Sequence, residues 1–366
     1  MKALRKTKSI DRPLLVIIIA LLLTGLAVLA SASFSLGERR FGNPYHFLYR
    51  QILYGVIPGI ILFLIALRVP TARYRAHATT LLISSLILLA FVFIPGVGIT
   101  IGGAHRWIGI GSFSFQPSEI LKFTFIVYLA AWLVARKKEI GGLWSGFFPF
   151  LIVTFIGTIA LVLEPDIGTL GVFALTALIL FYLGGGRAAQ ISALIGLGIL
   201  GLCILIYLEP YRKDRLFIFL NPGSESQGIG YQIYQALVAI GSGGFFGRGW
   251  GLSRQKFQYL PEPAGDAIFA IFAEELGFIG SFILLALFVA FFVRGMMIAA
   301  RVRDFFARYV AAGITALITV EVLINIAAIS GLLPLTGIPL PFLSYGGTAL
   351  ALLLFEMGVL LAISRE

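Results

Sequence analysis

The chain has 366 residues, of which 59% are hydrophobic and only 12% charged. Soluble domains carry about 45–50% apolar and about 25% charged residues, so this composition excludes a soluble globular protein and indicates an all-α polytopic membrane protein. The formal net charge of +11 would suit a nucleic-acid binder, but the basic residues come in short clusters between apolar runs, where they act as topology signals and headgroup contacts.

Ten apolar runs bounded by charge or by Gly and Pro predict membrane helices at 13–35, 47–68, 78–95, 117–135, 146–163, 168–184, 188–208, 267–293, 309–330 and 346–363. The first follows Lys2, Arg5, Lys6, Lys8 and Arg12 as a signal peptide would. Its apolar stretch exceeds the roughly 7–15 residues of a cleavable segment, so we read it as a retained helix. The second opens near Arg50. The loop 96–116 leads into GGAHRWIGIGSFSFQPSEILK, residues 102–122. Pro117 suits a first helical turn, which places Glu119 and Lys122 on one face. That pattern fits a capped helix with a surface ion pair. It fits equally well a site where Arg106 and Lys122 meet an anionic ligand, with the glycines of 102–111 allowing close approach.

Between the fifth and sixth runs, Glu164-Pro165-Asp166-Ile167-Gly168-Thr169 leaves almost no loop. Asp166 is suited to cap the following helix, and Arg50 is its expected ion-pair partner at the same depth. A 58-residue loop, 209–266, separates the seventh and eighth runs. Within it YQIYQALVAI, 231–240, has helical periodicity but is too short to cross a bilayer, as a re-entrant or interfacial helix would be. GSGGFFGRGWG, 241–251, follows no strand and precedes no Gly-Lys-Ser/Thr, so it is a weak nucleotide site; its glycines allow close backbone approach to a ligand or the membrane surface.

Asp266 stands on the doorstep of the eighth run, where water ends and hydrocarbon begins. A carboxylate there can stay ionised while facing a substrate whose tail lies in lipid; it can also be an ordinary helix cap. Glu274 and Glu275 lie about two turns deeper, and in-membrane carboxylates cost about 2.5–3.5 kcal/mol each, so they should face protein or a wet cavity. The segment GLLPLTGIPLPFLSYGGT, 331–348, carries prolines at 334, 339 and 341 and no charge, and should pack onto the helices. Ser344, Gly346 and Gly347 then open the last helix, whose free N–H groups are either a phosphate seat or part of a rigid plug.

Placing the N-terminus in the cytoplasm puts 17 of the 28 Lys and Arg on that side, which makes both termini cytoplasmic and gathers the unusual loops on the outer face. We see no internal repeat and no soluble domain, so residues 1–366 are read as one membrane domain. The three histidines, 46, 77 and 105, and the single Cys203 provide neither a zinc cluster nor a recognisable hydrolase triad.

Several motifs together resemble a known family. They are Phe115-Gln116-Pro117-Ser118-Glu119, the Glu164–Thr169 turn, Gly230-Tyr231-Gln232, Gln255-Lys256 with Tyr259-Leu260-Pro261-Glu262, Glu274-Glu275-Leu276-Gly277, and Pro339-Leu340-Pro341-Phe342-Leu343-Ser344-Tyr345-Gly346-Gly347. In order and over nearly the whole chain, these are similar to the SEDS family (shape, elongation, division and sporulation), which includes FtsW and RodA. The Gln-Lys…Tyr-Leu-Pro-Glu run is closer to the FtsW, division-type branch. The resemblance implies an inverting peptidoglycan glycosyltransferase that polymerises lipid II into glycan strands on the outer face of the bacterial cytoplasmic membrane. It also implies a class B penicillin-binding protein and other divisome or elongasome membrane proteins as partners, alongside lipid II and the nascent glycan strand, and no nucleic acid.

The family's essential carboxylate falls on Asp266. The usual Ala-His-Thr before it is replaced by Pro263-Ala264-Gly265, which removes any part played by that His and Thr. Asp266 is then the expected general base. Arg106 and Lys122, with Arg248 or Lys256, are the expected counter-charges for the pyrophosphate, a divalent cation (Mg or Mn) is an open addition, and no organic cofactor is implied. A lipid II flippase and a non-enzymatic scaffold of the division machinery are the rival readings.

Overall fold

In the computed structural model the described residues are 9–101, 104–110, 113–221, 228–257 and 259–366. Lys2, Arg5, Lys6 and Lys8 of the expected topology signal lie outside them, as do Gly102, Gly103 and Gly111 of the glycine-rich stretch. The chain begins with α1 (Arg12–Ala32), whose cap is Asp11 accepting from the Leu14 amide at 2.9 Å, and α2 (Phe34–Phe41). Next, α3 (His46–Gln51) and α4 (Ile57–Ala66) join through a π-helical turn into one span, followed by α5 (Thr71–Ala76) and α6 (Ala78–Ala90). Beyond the strands lie α7 (Pro117–Ala135), α8 (Phe148–Leu163), α9 (Ile167–Leu183) and α10 (Ala188–Leu208). The long loop contains α11 (Pro210–Leu220) and α12 (Ile229–Ser242), and the chain closes with α13 (Ile268–Arg301), α14 (Phe305–Ile329) and α15 (Gly347–Ile363).

Among the described residues seven helices are long and apolar enough to cross a membrane, and three shorter apolar ones, Ala78–Phe93, Ile167–Leu183 and Gly347–Ile363, fall on the remaining expected spans. The chain is a multi-pass membrane protein. α7 and α14 are buried along most of their length and form the interior, whereas α10 buries only Gln190 and faces outward.

The loop 96–116 differs from the all-α expectation. It folds into a three-stranded antiparallel meander, β1 (Gly98–Ile101), β2 (Ala104–Ile110) and β3 (Phe113–Phe115). Its signal was present as short period-two alternation punctuated by Gly pairs.

The glycine-rich 241–251 splices into a break in α13, with Phe245, Phe246 and Trp250 exposed. Gly277 has φ 65, a left-handed conformation that ends the helical ladder. The freed groups are satisfied across the break. Arg248 N–H donates to the Glu274 carbonyl and Gly249 N–H to that of Glu275, both at 3.0 Å, and Phe278 N–H reaches Gly244 at 2.9 Å. A break inside a membrane protein is tolerated only with such replacement partners.

The two acid side chains at this break hold the following loop, as their depth required. Glu274 accepts from Ser253 Oγ and from the amides of Arg254 (3.1 Å) and Gln255 (3.2 Å), while Glu275 pairs with Lys256 Nζ at 2.9 Å. Lys256 is 3% exposed and also donates to Ser31 Oγ of α1 and to the Gly251 carbonyl. On the opposite face Arg294 forks onto Asp11 with two 3.0 Å bonds.

Removing one partner of a buried ion pair costs about 3–5 kcal/mol because the other charge is stranded. Lys256→Met is therefore expected to lower the thermal midpoint in detergent strongly, and Lys256→Met with Glu275→Gln to recover most of the loss. A single variant as stable as the parent would contradict this packing.

Candidate active site

Asp266 sits immediately before α13, and its backbone is fixed from three directions. Tyr345 N–H donates to the Ala264 carbonyl at 2.8 Å, Ser344 Oγ to the Gly265 carbonyl at 2.7 Å, and Asn325 Nδ2 to the Asp266 carbonyl at 2.9 Å. Three consecutive carbonyls are thus pinned by α14 and by the Pro-rich segment. Asn325 uses its second amide hydrogen on the Ile338 carbonyl at 2.8 Å, so its orientation follows from two acceptors. The segment 331–346 is therefore the plug expected from its prolines, with Ser344 its link to the Asp266 loop.

The Asp266 side chain is not a helix cap. α13 is capped at Ala267 without a side-chain bond, and the Asp266 carboxylate receives a 3.3 Å bond from Gln232 Nε2 of α12. Burial, with Glu262 adding repulsion, pushes its carboxyl up to about 6, against the opposing pull of its own amide, Arg215 and Gln232. The group is mostly ionised at neutral pH yet basic enough to take a proton, the balance that general-base catalysis requires.

The expected cations turn out to be committed elsewhere. Arg106 donates to the carbonyls of Glu164 and Pro165 and lies 3.9 Å from Asp166, so it closes the C-terminus of α8 instead of facing a ligand. Asp166 caps α9 through Thr169 and takes Arg106 and Gln116 as partners, which overturns the expected pair with Arg50. Arg50 instead lies over the Tyr54 ring at 5.5 Å. Beside Arg106, Glu164 is fully buried, and burial, with Asp166 nearby, pushes its carboxyl up to about 8.

Lys122 is buried between Glu119 (2.8 Å) and Glu321 (2.5 Å). Arg248 faces Glu274 at 3.6 Å, and Lys256 is the buried partner of Glu275. Gly346 gives its N–H to Gln51 Oε1 at 2.9 Å, and Gly347 packs against Tyr54.

Lys122, Ser344 and Gly346 nevertheless share one cavity with Glu119, Glu321 and Glu356, of about 40 Å³, room for about three waters. Glu321 and Glu356 were missed by sequence reasoning, although acids inside apolar runs carry the same signal as Glu274. Among the described residues no group of three or more His, Cys, Asp or Glu is arranged to hold a metal.

A carboxyl raised in the folded state stabilises the fold when protonated and loses that contribution as pH rises through about 6. Asp266→Asn is therefore expected to raise the thermal midpoint at pH 8 clearly more than at pH 5. An equal change at both pH values would show that Asp266 is not held against its ionisation.

The family model of FtsW/RodA/SpoVE cell cycle proteins matches residues 12–366. Stage V sporulation protein E of Bacillus subtilis is 42% identical over 361 residues, covering 98% of each chain. A probable peptidoglycan glycosyltransferase FtsW of Pseudomonas fluorescens is 40% identical over 362 residues, 98% of this chain and 88% of that one. Among solved structures, a chain of a peptidoglycan synthase complex described as coordinating polymerization and crosslinking superposes with a TM-score of 0.81 at 26% identity, covering 98% of both chains. With its broken eighth span, its Pro-rich plug and an acid clamped between them, this chain belongs to the FtsW/RodA/SpoVE family, the SEDS proteins.

Proposed function

We propose that this chain is a peptidoglycan glycosyltransferase that polymerises lipid II, with Asp266 as its general base. One observation carries the reading: the Asp266 carboxylate is neither a helix cap nor part of a close ion pair among the described residues, yet its backbone is pinned at three successive carbonyls. Lipid II joins a polyprenyl tail, a diphosphate and a sugar, so its reacting carbon lies just above the membrane surface. The face carrying Asp266, the β-meander and the long loop is then the outer one, and both termini are cytoplasmic.

In the transfer, a sugar hydroxyl attacks the anomeric carbon and the new C–O bond forms as the bond to the diphosphate oxygen breaks. Asp266 takes the hydroxyl proton, the leaving diphosphate takes the bonding pair, and the anomeric centre inverts. The polyprenyl diphosphate departs already ionised, so no second carboxylic acid is needed. A class B penicillin-binding protein is the proposed partner that crosslinks the product, in line with the complex in which the structural relative was solved.

Purified protein given lipid II, alone and with such a partner, is expected to yield glycan strands, and Asp266→Asn to lose about 10²–10⁴-fold in rate while inserting normally. Strand synthesis in the Asn variant within a few-fold of the parent would overturn the assignment. Lipid II exchange across vesicles without strands would favour a flippase, and neither activity a scaffold.

A further inference from the structure

A departing diphosphate requires a positive partner, and the four cations that the sequence nominated each have a carboxylate partner within the chain. Arg106, Lys122, Arg248 and Lys256 are all held by carboxylates or carbonyls of the chain itself. A different cation remains at the Asp266 end of the molecule. Arg215 lies on α11, with its guanidinium 4.5 Å from the Tyr211 ring centroid and Nη1 donating to the Leu335 carbonyl at 2.7 Å. Among the described residues its Nε is buried without a hydrogen-bond partner. Leu335 and Asp266 line the same small, closely packed cleft.

Resting on the polymerase reading, we propose that Arg215 is the seat of the departing lipid diphosphate. Three features point to that class of ligand. The ring and the Leu335 carbonyl fix the plane and one side of the guanidinium. The edge carrying Nε then faces away from that bond, and such an edge offers two parallel N–H donors that match a phosphate oxyanion. An unsatisfied buried donor is costly, so a bound oxyanion relieves a penalty already present.

Secondly, the charge of Arg215 acts on the Asp266 carboxylate, but no ion pair among the described residues joins them. That separation suits a base on one side of the reacting sugar and the leaving group on the other. Thirdly, α11 exposes apolar and charged side chains together. Tyr211, Phe217 and Leu220 are more than half exposed on a helix that also carries Arg212, Lys213 and Asp214. Exposed aromatic and aliphatic groups beside cations suit a membrane–water boundary, the depth of a lipid diphosphate whose tail enters the bilayer. As the anomeric C–O bond breaks, the charge gathering on the diphosphate meets the Arg215 fork while the hydroxyl proton passes to Asp266.

The test is equilibrium binding of geranylgeranyl diphosphate to the full-length protein in detergent, with geranylgeraniol as the phosphate-free control. Arg215→Gln is expected to weaken the diphosphate about tenfold or more, the loss of charged hydrogen bonds. Arg215→Lys should keep part of the affinity, and Arg212→Gln and the alcohol control should be unaffected. Binding of the diphosphate within two-fold of the parent in a stably folded Arg215→Gln variant would overturn the proposal. So would equal losses for diphosphate and alcohol, which indicate a structural role, or an equal loss in Arg212→Gln, which indicates diffuse charge. Because no turnover is involved, failure here is distinct from failure of the Asp266 assignment.

Discussion

Three backbone carbonyls in a row, those of Ala264, Gly265 and Asp266, set the architecture of the site. Each needs a donor because water does not reach it freely, and buried carbonyls left unpaired cost about 1–3 kcal/mol apiece. The donors come from Tyr345, Ser344 and Asn325, on two elements distant in sequence. That requirement explains the charge-free segment 331–346. Its prolines suppress a competing helix, so its turn can lie against the mouth of α13 and Ser344 can bridge Leu340 and Gly265. The same contacts place Asp266 and leave its side chain uncommitted.

A second constraint is the cost of charge inside an apolar bundle. Lys122 and Lys256 would each be expensive alone; Lys122 is neutralised by Glu119 of its own helix and Glu321 of α14, and Lys256 by Glu275 of α13. The consequence for function is that catalytic charge must come from the surface helices of the long loop, where burial is partial. Asp266 and Arg215 stand at that boundary, and the break at Gly277 extends it by letting the loop 243–249 reach into α13.

Much of the fold was legible because a span announces itself by apolar length, and all ten expected spans coincide with apolar helices. Asp266 was legible because its place, between a polar loop and an apolar run, is itself a chemical statement. The local Glu119–Lys122 pair was legible from its spacing, but the long-range partners were not. Lys122 and Glu321 are 199 residues apart, and Lys256 reaches Ser31 across 225, distances that no local spacing reveals. The place of Arg106 was not legible for a related reason: the strand that carries it to the end of α8 lies within the expected loop 96–116, although its period-two alternation was present. Asn325 was overlooked because one amide within an apolar helix has many bland explanations until both of its acceptors are seen.

If the clamp makes Asp266 effective, loosening it should damage chemistry more than substrate capture. The most direct measurement is steady-state polymerisation against lipid II concentration for Asn325→Ala, a change that removes the donor to Asp266 without touching its carboxylate. Misplacing a catalytic group by about 1 Å can cost up to about 10²-fold. The account predicts kcat down by about tenfold or more, with KM within about threefold of the parent. A folded Asn325→Ala protein whose kcat stays within about twofold of the parent would contradict it.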